Sequence, residues 1–133
     1  MFWFGLAWAA DGVVVAGSQA PTHTIAEGRG TARILLTGPE AAVTHLVLAA
    51  AATVPAHKHE ASAEILYVEG GRVRMTIAGK AVEAGPGDVI YIPKNTEHSA
   101  LVLGTMAPLR AVQVYVGPGP EQRFTAGPRA TEE

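Results

Sequence analysis

The chain has 133 residues, 48% of them hydrophobic and 17% charged, with a formal net charge of −2 and no cysteine. That is enough for one packed domain, and the composition excludes a disordered acidic or basic tail protein. Without cysteine there are no disulfides, thiolate metal sites or thiol nucleophiles, and without a basic run there is no electrostatic grip on nucleic acid or anionic lipid.

In chain order, residues 2–10 are uncharged and apolar, and Asp11-Gly12 interrupts them before Val13-Val14-Val15. Nine apolar residues are too few for a membrane span, which takes about 20. Ala16, Ser18 and Ala20 would suit the cleavage region of a secretory signal, whereas Asp11, Pro21 and the lack of an N-terminal Lys or Arg speak against one. The other reading is a lead-in strand packed on the domain. Cytoplasmic and exported locations both stay open, and residues 1–30 are treated as an N-terminal extension.

From residue 31 onward, short β-branched runs alternate with Gly and Pro punctuation, which predicts strands over 31–37, 43–50, 64–69, 72–78, 80–83, 88–92, 98–103 and 109–116. Arg72-Val73-Arg74-Met75-Thr76-Ile77 alternates strictly, placing Val73, Met75 and Ile77 on one face. Gly70-Gly71, Ala78-Gly79 and Gly85-Pro86-Gly87 read as turns, with Asp88 capping the last. The alanines between 41 and 55 tempt a helix, but Val43-Thr44-His45-Leu46-Val47-Leu48 reads as strand. The Gly- and Pro-rich tail, 118–133, is expected to run over the surface. Eight strands at this spacing predict an all-β fold, a sandwich, barrel or jelly roll, over 31–117.

Five histidines remain: His23, His45, His57, His59 and His98. His57 and His59 stand two apart, a spacing that in a strand puts both on one face, and Glu64 follows at the start of an apolar strand where a carboxylate is costly to bury without a partner. Gly87, Pro93 and His98 then frame a second turn–strand–turn unit. Together these residues resemble the two motifs of the cupin superfamily. His57, His59, Glu64 and Gly71 match the first, with Ala51 in place of its leading glycine. Gly87, Pro93 and His98 match the second, with Asn95 in place of its glycine and Val102 in place of its terminal asparagine.

The resemblance, spanning roughly 43–116, implies a double-stranded β-helix, or jelly roll, and a metal site of His57, His59, Glu64 and His98. Imidazole suits Fe, Ni, Cu and Zn, and the carboxylate also admits Mn, so the set names one divalent transition metal without choosing it. Strand parity gives an apolar lining (Val47, Leu66, Val73, Met75, Ile77, Ala100, Val102), with Gln113 as a polar lining residue and His45 as either an interior donor or a structural histidine. Tyr67, Tyr91 and Tyr115 read as core or rim aromatics, Met75 and Met106 as filler, and His23 as part of a loop or extension. Two functions follow as expectations. One is a metal-dependent oxygenase, isomerase, decarboxylase or lyase acting on a small organic molecule. The other is a non-catalytic small-molecule binding or sensing module. The exposed sheet edges of a small jelly roll lead to the expectation of a homodimer.

Overall fold

The computed structural model describes residues 12–126. Within them ten strands run in chain order: β1 (Thr22–Ile25), β2 (Gly30–Thr37), β3 (Ala41–Leu48), β4 (Thr53–His57), β5 (Ala63–Gly70), β6 (Val73–Ile77), β7 (Lys80–Ala84), β8 (Val89–Ile92), β9 (His98–Val102) and β10 (Leu109–Val116). They form a six-stranded sheet ordered β1-β2-β3-β10-β5-β8 and a four-stranded sheet ordered β4-β9-β6-β7. Every pairing is antiparallel. This is an all-β jelly roll, one of the folds that the strand spacing left open and the one that the resemblance implies. The apolar residues 2–10 lie outside the described residues. Among the described residues, no helix is long and apolar enough to cross a membrane.

Alternation decides what each strand buries. On β3, Ala42, Thr44, Leu46 and Leu48 point inward while Val43, His45 and Val47 face out. On β10 the inward set is Leu109, Ala111, Gln113 and Tyr115, and on β5 it is Glu64, Leu66 and Val68. Val73 and Met75 of β6 answer from the smaller sheet. Val68, Val73, Ile92 and Val102 are almost fully buried, each contributing about 1.5–3 kcal/mol through apolar burial. Tyr115 is also fully buried, whereas Tyr67 and Tyr91 face solvent on the outside.

The turns follow their chemistry. Ala78 and Gly79 both have positive φ, the backbone of a two-residue hairpin between β6 and β7. The Asp88 carboxylate accepts the Gly85 N–H at 2.8 Å. At Gly71, φ is +79° and a Cβ would sit 2.3 Å from the Pro108 carbonyl oxygen, so only glycine fits between β5 and β6.

The structure departs from the sequence reading in several places. Strands β1 and β4 were not expected. β4 contains Pro55, which argues against a strand in sequence, but β4 is an edge, where proline costs no ladder bond on its free side. β1 brings His23 out of the expected loop and into a buried position on the larger sheet. Met106 is no filler: it stands 88% exposed between β9 and β10. The tail is also more than a surface run, because Pro120–Ala126 winds into a short 3-10 helix that buries Glu121 and Phe124.

Candidate metal centre

His57 ends β4 and His98 opens β9, and the two strands pair with these residues opposite each other. The register sets their ring centroids 4.2 Å apart. His59 lies just past β4, in a loop whose His59 carbonyl accepts the Asn95 N–H at 2.7 Å. Its ring centroid is 4.9 Å from that of His57 and 5.4 Å from that of His98. Strand alternation is therefore not what joins the first pair: His57 alone is in the strand, and the loop carries His59 to the same point. One nitrogen from each of the three rings lies within 4.8 Å of the others.

Glu64 approaches from the opposite sheet. It is 3% exposed on the inward face of β5, with Oε1 3.5 Å from His59 Nε2 and 3.4 Å from His98 Nε2. Its other oxygen, Oε2, accepts the Gln113 side-chain N–H at 2.6 Å. The expected placement of Gln113 on the inner face of β10 thus puts it in contact with the cluster. Tyr115, two residues on, packs edge-on against the His59 ring at 5.3 Å.

The remaining nitrogens explain the orientation. His57 Nδ1 lies 2.8 Å from the Pro55 carbonyl and His98 Nδ1 2.9 Å from that of Thr96. A carbonyl only accepts, so each Nδ1 carries the proton and the neutral ring presents its Nε2 lone pair inward. His57 Nε2, His59 Nε2, His98 Nε2 and Glu64 Oε1 are all buried without a hydrogen-bond partner.

Electrostatics reflect this crowding. Burial lowers His57 to about 4, with Arg123 and the neighbouring histidines adding to the effect against its bond to Pro55. Burial alone would raise Glu64, but His59, His98 and Gln113 together hold it at about 2. Burial pushes His98 down, and the Glu64 carboxylate with the Thr96 carbonyl more than reverses this. Burial pushes the Tyr115 hydroxyl up.

The cluster opens into a cavity of about 740 Å³ between the sheets. Leu66, Val73, Met75, Ala100 and Gln113 are among its lining residues. His45 is not. It faces out from β3 and pairs with Glu69 at 2.7 Å, because β3 buries the opposite parity; for the same reason Val47 leaves the lining. Ile77 and Val102 also stand outside it. Sequence reasoning missed Leu46, Leu48, Arg123 and Phe124, which do line the cavity. The signal for the last two was a phenylalanine beside an arginine in an otherwise polar tail.

A Cupin domain family model matches residues 44–115, more than half the chain. The chain belongs to the cupin family. Over 50 residues, this cupin is 42% identical to an uncharacterized protein of Methanocaldococcus jannaschii, a match covering 38% of this chain and 40% of that protein. The chain thus spans about two fifths of that relative's length. Among solved structures, the cupin superposes on KdgF from Halomonas sp. with a TM-score of 0.72 at 19% identity, covering 83% of this chain and 99% of that one. It superposes on a predicted oxalate decarboxylase from Thermotoga maritima with a TM-score of 0.67 at 26% identity, covering 79% and 99%. The departures from the family motifs sit in the scaffold. Ala51 and Asn95, where the motifs have glycine, both adopt positive φ, 66° and 58°. The backbones of Ala51 and Val102 bond each other at 3.0 Å.

Proposed function

We propose that this cupin is a metal-dependent enzyme that acts on a small organic molecule, with His57, His59, Glu64 and His98 holding one divalent transition metal. The observation that carries this reading is the set of four buried, unpartnered donor atoms aimed at one another. Leaving such atoms unsatisfied costs about 1–3 kcal/mol each, and a cation between them would satisfy all four. Donors bound at about 2.0–2.2 Å to one ion stand about 3.0–3.5 Å apart, and the Glu64 contacts at 3.4 and 3.5 Å match that spacing. A bound ion with open positions would supply Lewis-acid or O2-activating chemistry to a substrate held in the cavity.

The chain's own residues do the rest. The Pro55 and Thr96 carbonyls fix the ring orientation of His57 and His98, and Gln113 fixes that of Glu64. Leucine, valine and methionine side chains hold an apolar substrate body and exclude water. The Thermotoga maritima relative bears the description of a predicted oxalate decarboxylase. This lining suits a larger and more apolar molecule than oxalate, so decarboxylase, lyase, isomerase or oxygenase action on such a molecule is the reading it supports.

A non-catalytic binding or sensing role is favoured by one observation. Among the described residues, Glu27 and Arg123 are the only charged side chains lining the cavity apart from the donors themselves, and Glu27 is exposed, which leaves no buried general base. Turnover separates the two readings: a metal-loaded protein inert toward oxygenase, isomerase, lyase and decarboxylase substrates of this shape is a binder. The metal itself is tested by elemental analysis of the purified protein. We expect about one divalent ion per chain, and a loss of at least about tenfold in metal affinity in His57→Ala and His98→Ala; metal-free wild type after metal-replete growth defeats the proposal. We further propose a homodimer, since β8 is a sheet edge with Val89 and Tyr91 exposed; a monomeric mass by light scattering counters it.

A further inference from the structure

The C-terminal segment brings to the cavity a charge that the proposed metal site does not use. The 3-10 helix Pro120–Ala126 is anchored at two points. Glu121 is fully buried, and its carboxylate accepts bonds from Thr37 Oγ1 at 3.0 Å, the Gly119 N–H at 2.8 Å and the Gln122 side-chain amide at 3.4 Å. Phe124 is 6% exposed and joins the core. Between these anchors Arg123 faces the cavity, its guanidinium carbon 5.1 Å from the centre of the Phe124 ring.

Among the described residues, no carboxylate lies within ion-pair distance of Arg123. Its charge nevertheless reaches the metal cluster, where it acts against protonation of both His57 and His98. Much of the remaining wall is apolar, from Leu46, Leu66, Val73, Met75 and Leu109, with Glu27, Thr24, Thr53, Ser99 and Gln113 as its polar members apart from the cluster. A guanidinium presents five N–H donors in a rigid fork that matches a carboxylate, and such a pair strengthens beside low-dielectric surface. A ligand that satisfies this wall is apolar over most of its length and anionic at one end.

We propose that Arg123 is the specificity-determining residue of this cavity, taking the carboxylate of a small monocarboxylic acid whose apolar body fills the leucine-, valine- and methionine-lined interior. The inference rests on the reading of the cavity as a small-molecule site and deepens it by naming the ligand class.

A matched pair of probes, hexanoate and hexanamide, tests it by calorimetric titration of the metal-loaded and the chelated protein. A charge-assisted pair is expected to give wild type at least about a tenfold preference for hexanoate. Arg123→Gln is expected to abolish that preference while leaving hexanamide affinity within about twofold, and Arg123→Lys to keep part of it. A hexanoate preference undiminished in Arg123→Gln overturns the proposal, including the case in which chelation removes it and the ion alone takes the carboxylate. Failure of hexanoate to bind wild type at millimolar concentration also overturns it. Elemental analysis of the same samples separates the two proposals. An Arg123-dependent preference in protein that takes up no metal on loading sinks the metal site alone; an Arg123-independent preference in metal-loaded protein sinks this inference alone.

Discussion

The two oxygens of Glu64 have different surroundings. Oε2 is held by Gln113 at 2.6 Å, and Oε1 faces His59 and His98 without a hydrogen bond. Gln113 therefore decides which oxygen is offered to the histidines. Replacing it by leucine keeps the volume and removes the donor. We expect Gln113→Leu to fold, to lose about 1–3 kcal/mol of stability through the abandoned Oε2, and to bind metal about 10–100-fold more weakly. Competition against a chelator of known strength reads the second effect, and an unchanged affinity would remove Gln113 from the positioning of Glu64. The four clustered side chains were legible in the sequence because their spacing follows the family motifs, and Gln113 because parity on β10 fixes its side. Arg123 was not, since the one local signal, the neighbouring Phe124, does not say where a Gly- and Pro-rich tail folds back onto the domain.

Periodicity made most strands readable, and its failures have separate causes. β4 was hidden by Pro55, which only knowledge of its edge position makes acceptable. His45 was ambiguous because a β-strand pattern with apolar residues on both faces, such as Val43-Thr44-His45-Leu46-Val47-Leu48, does not say which side is in; a one-residue change of parity inverts the answer. The turns can be tested directly. Ala51 adopts φ 66°, a region that costs a residue with a Cβ about 1–2 kcal/mol, offset in part by the greater unfolded-state freedom of glycine. Ala51→Gly is expected to raise stability by up to about 1 kcal/mol. Gly71→Ala meets both a positive φ and the Pro108 carbonyl, and is expected to lose at least about 2 kcal/mol. Chemical denaturation of the pair measures both, and an Ala51→Gly variant weaker than wild type would show that the turn is not strained.

For the molecule as a whole, the buried cluster ties stability to pH. His57 at about 4 and Glu64 at about 2 both lie below their ordinary values of 6.5 and 4.5, so the folded chain binds fewer protons than the unfolded one. His57 contributes stability that is lost as pH falls from 6.5 to 4, and Glu64 stability that is lost from 4.5 to 2. His98, raised above 6.5, has the opposite sign: its contribution is complete below 6.5 and lost as pH rises. In chelated protein the two histidines therefore act in different windows, His98 above 6.5 and His57 alone from 6.5 to about 4.5, and below 4.5 the losses from His57 and Glu64 add. Thermal melts are expected to show a fall that begins near pH 6.5 and steepens below 4.5. Metal requires deprotonated ligands, so the extra melting temperature conferred by loading is expected to vanish over the same acid range; a gain that survives at pH 4 contradicts the ligand assignment. The edge position of β4 bears on how an ion would enter and leave. This strand has a neighbour on one side only, and marginal elements of that kind detach with far less free energy than the whole domain needs to unfold. His57 ends it and His59 hangs just beyond, so peeling back this one ribbon withdraws two of four donors. Exchange would then proceed through a local breath of the margin while the rest of the barrel stays closed.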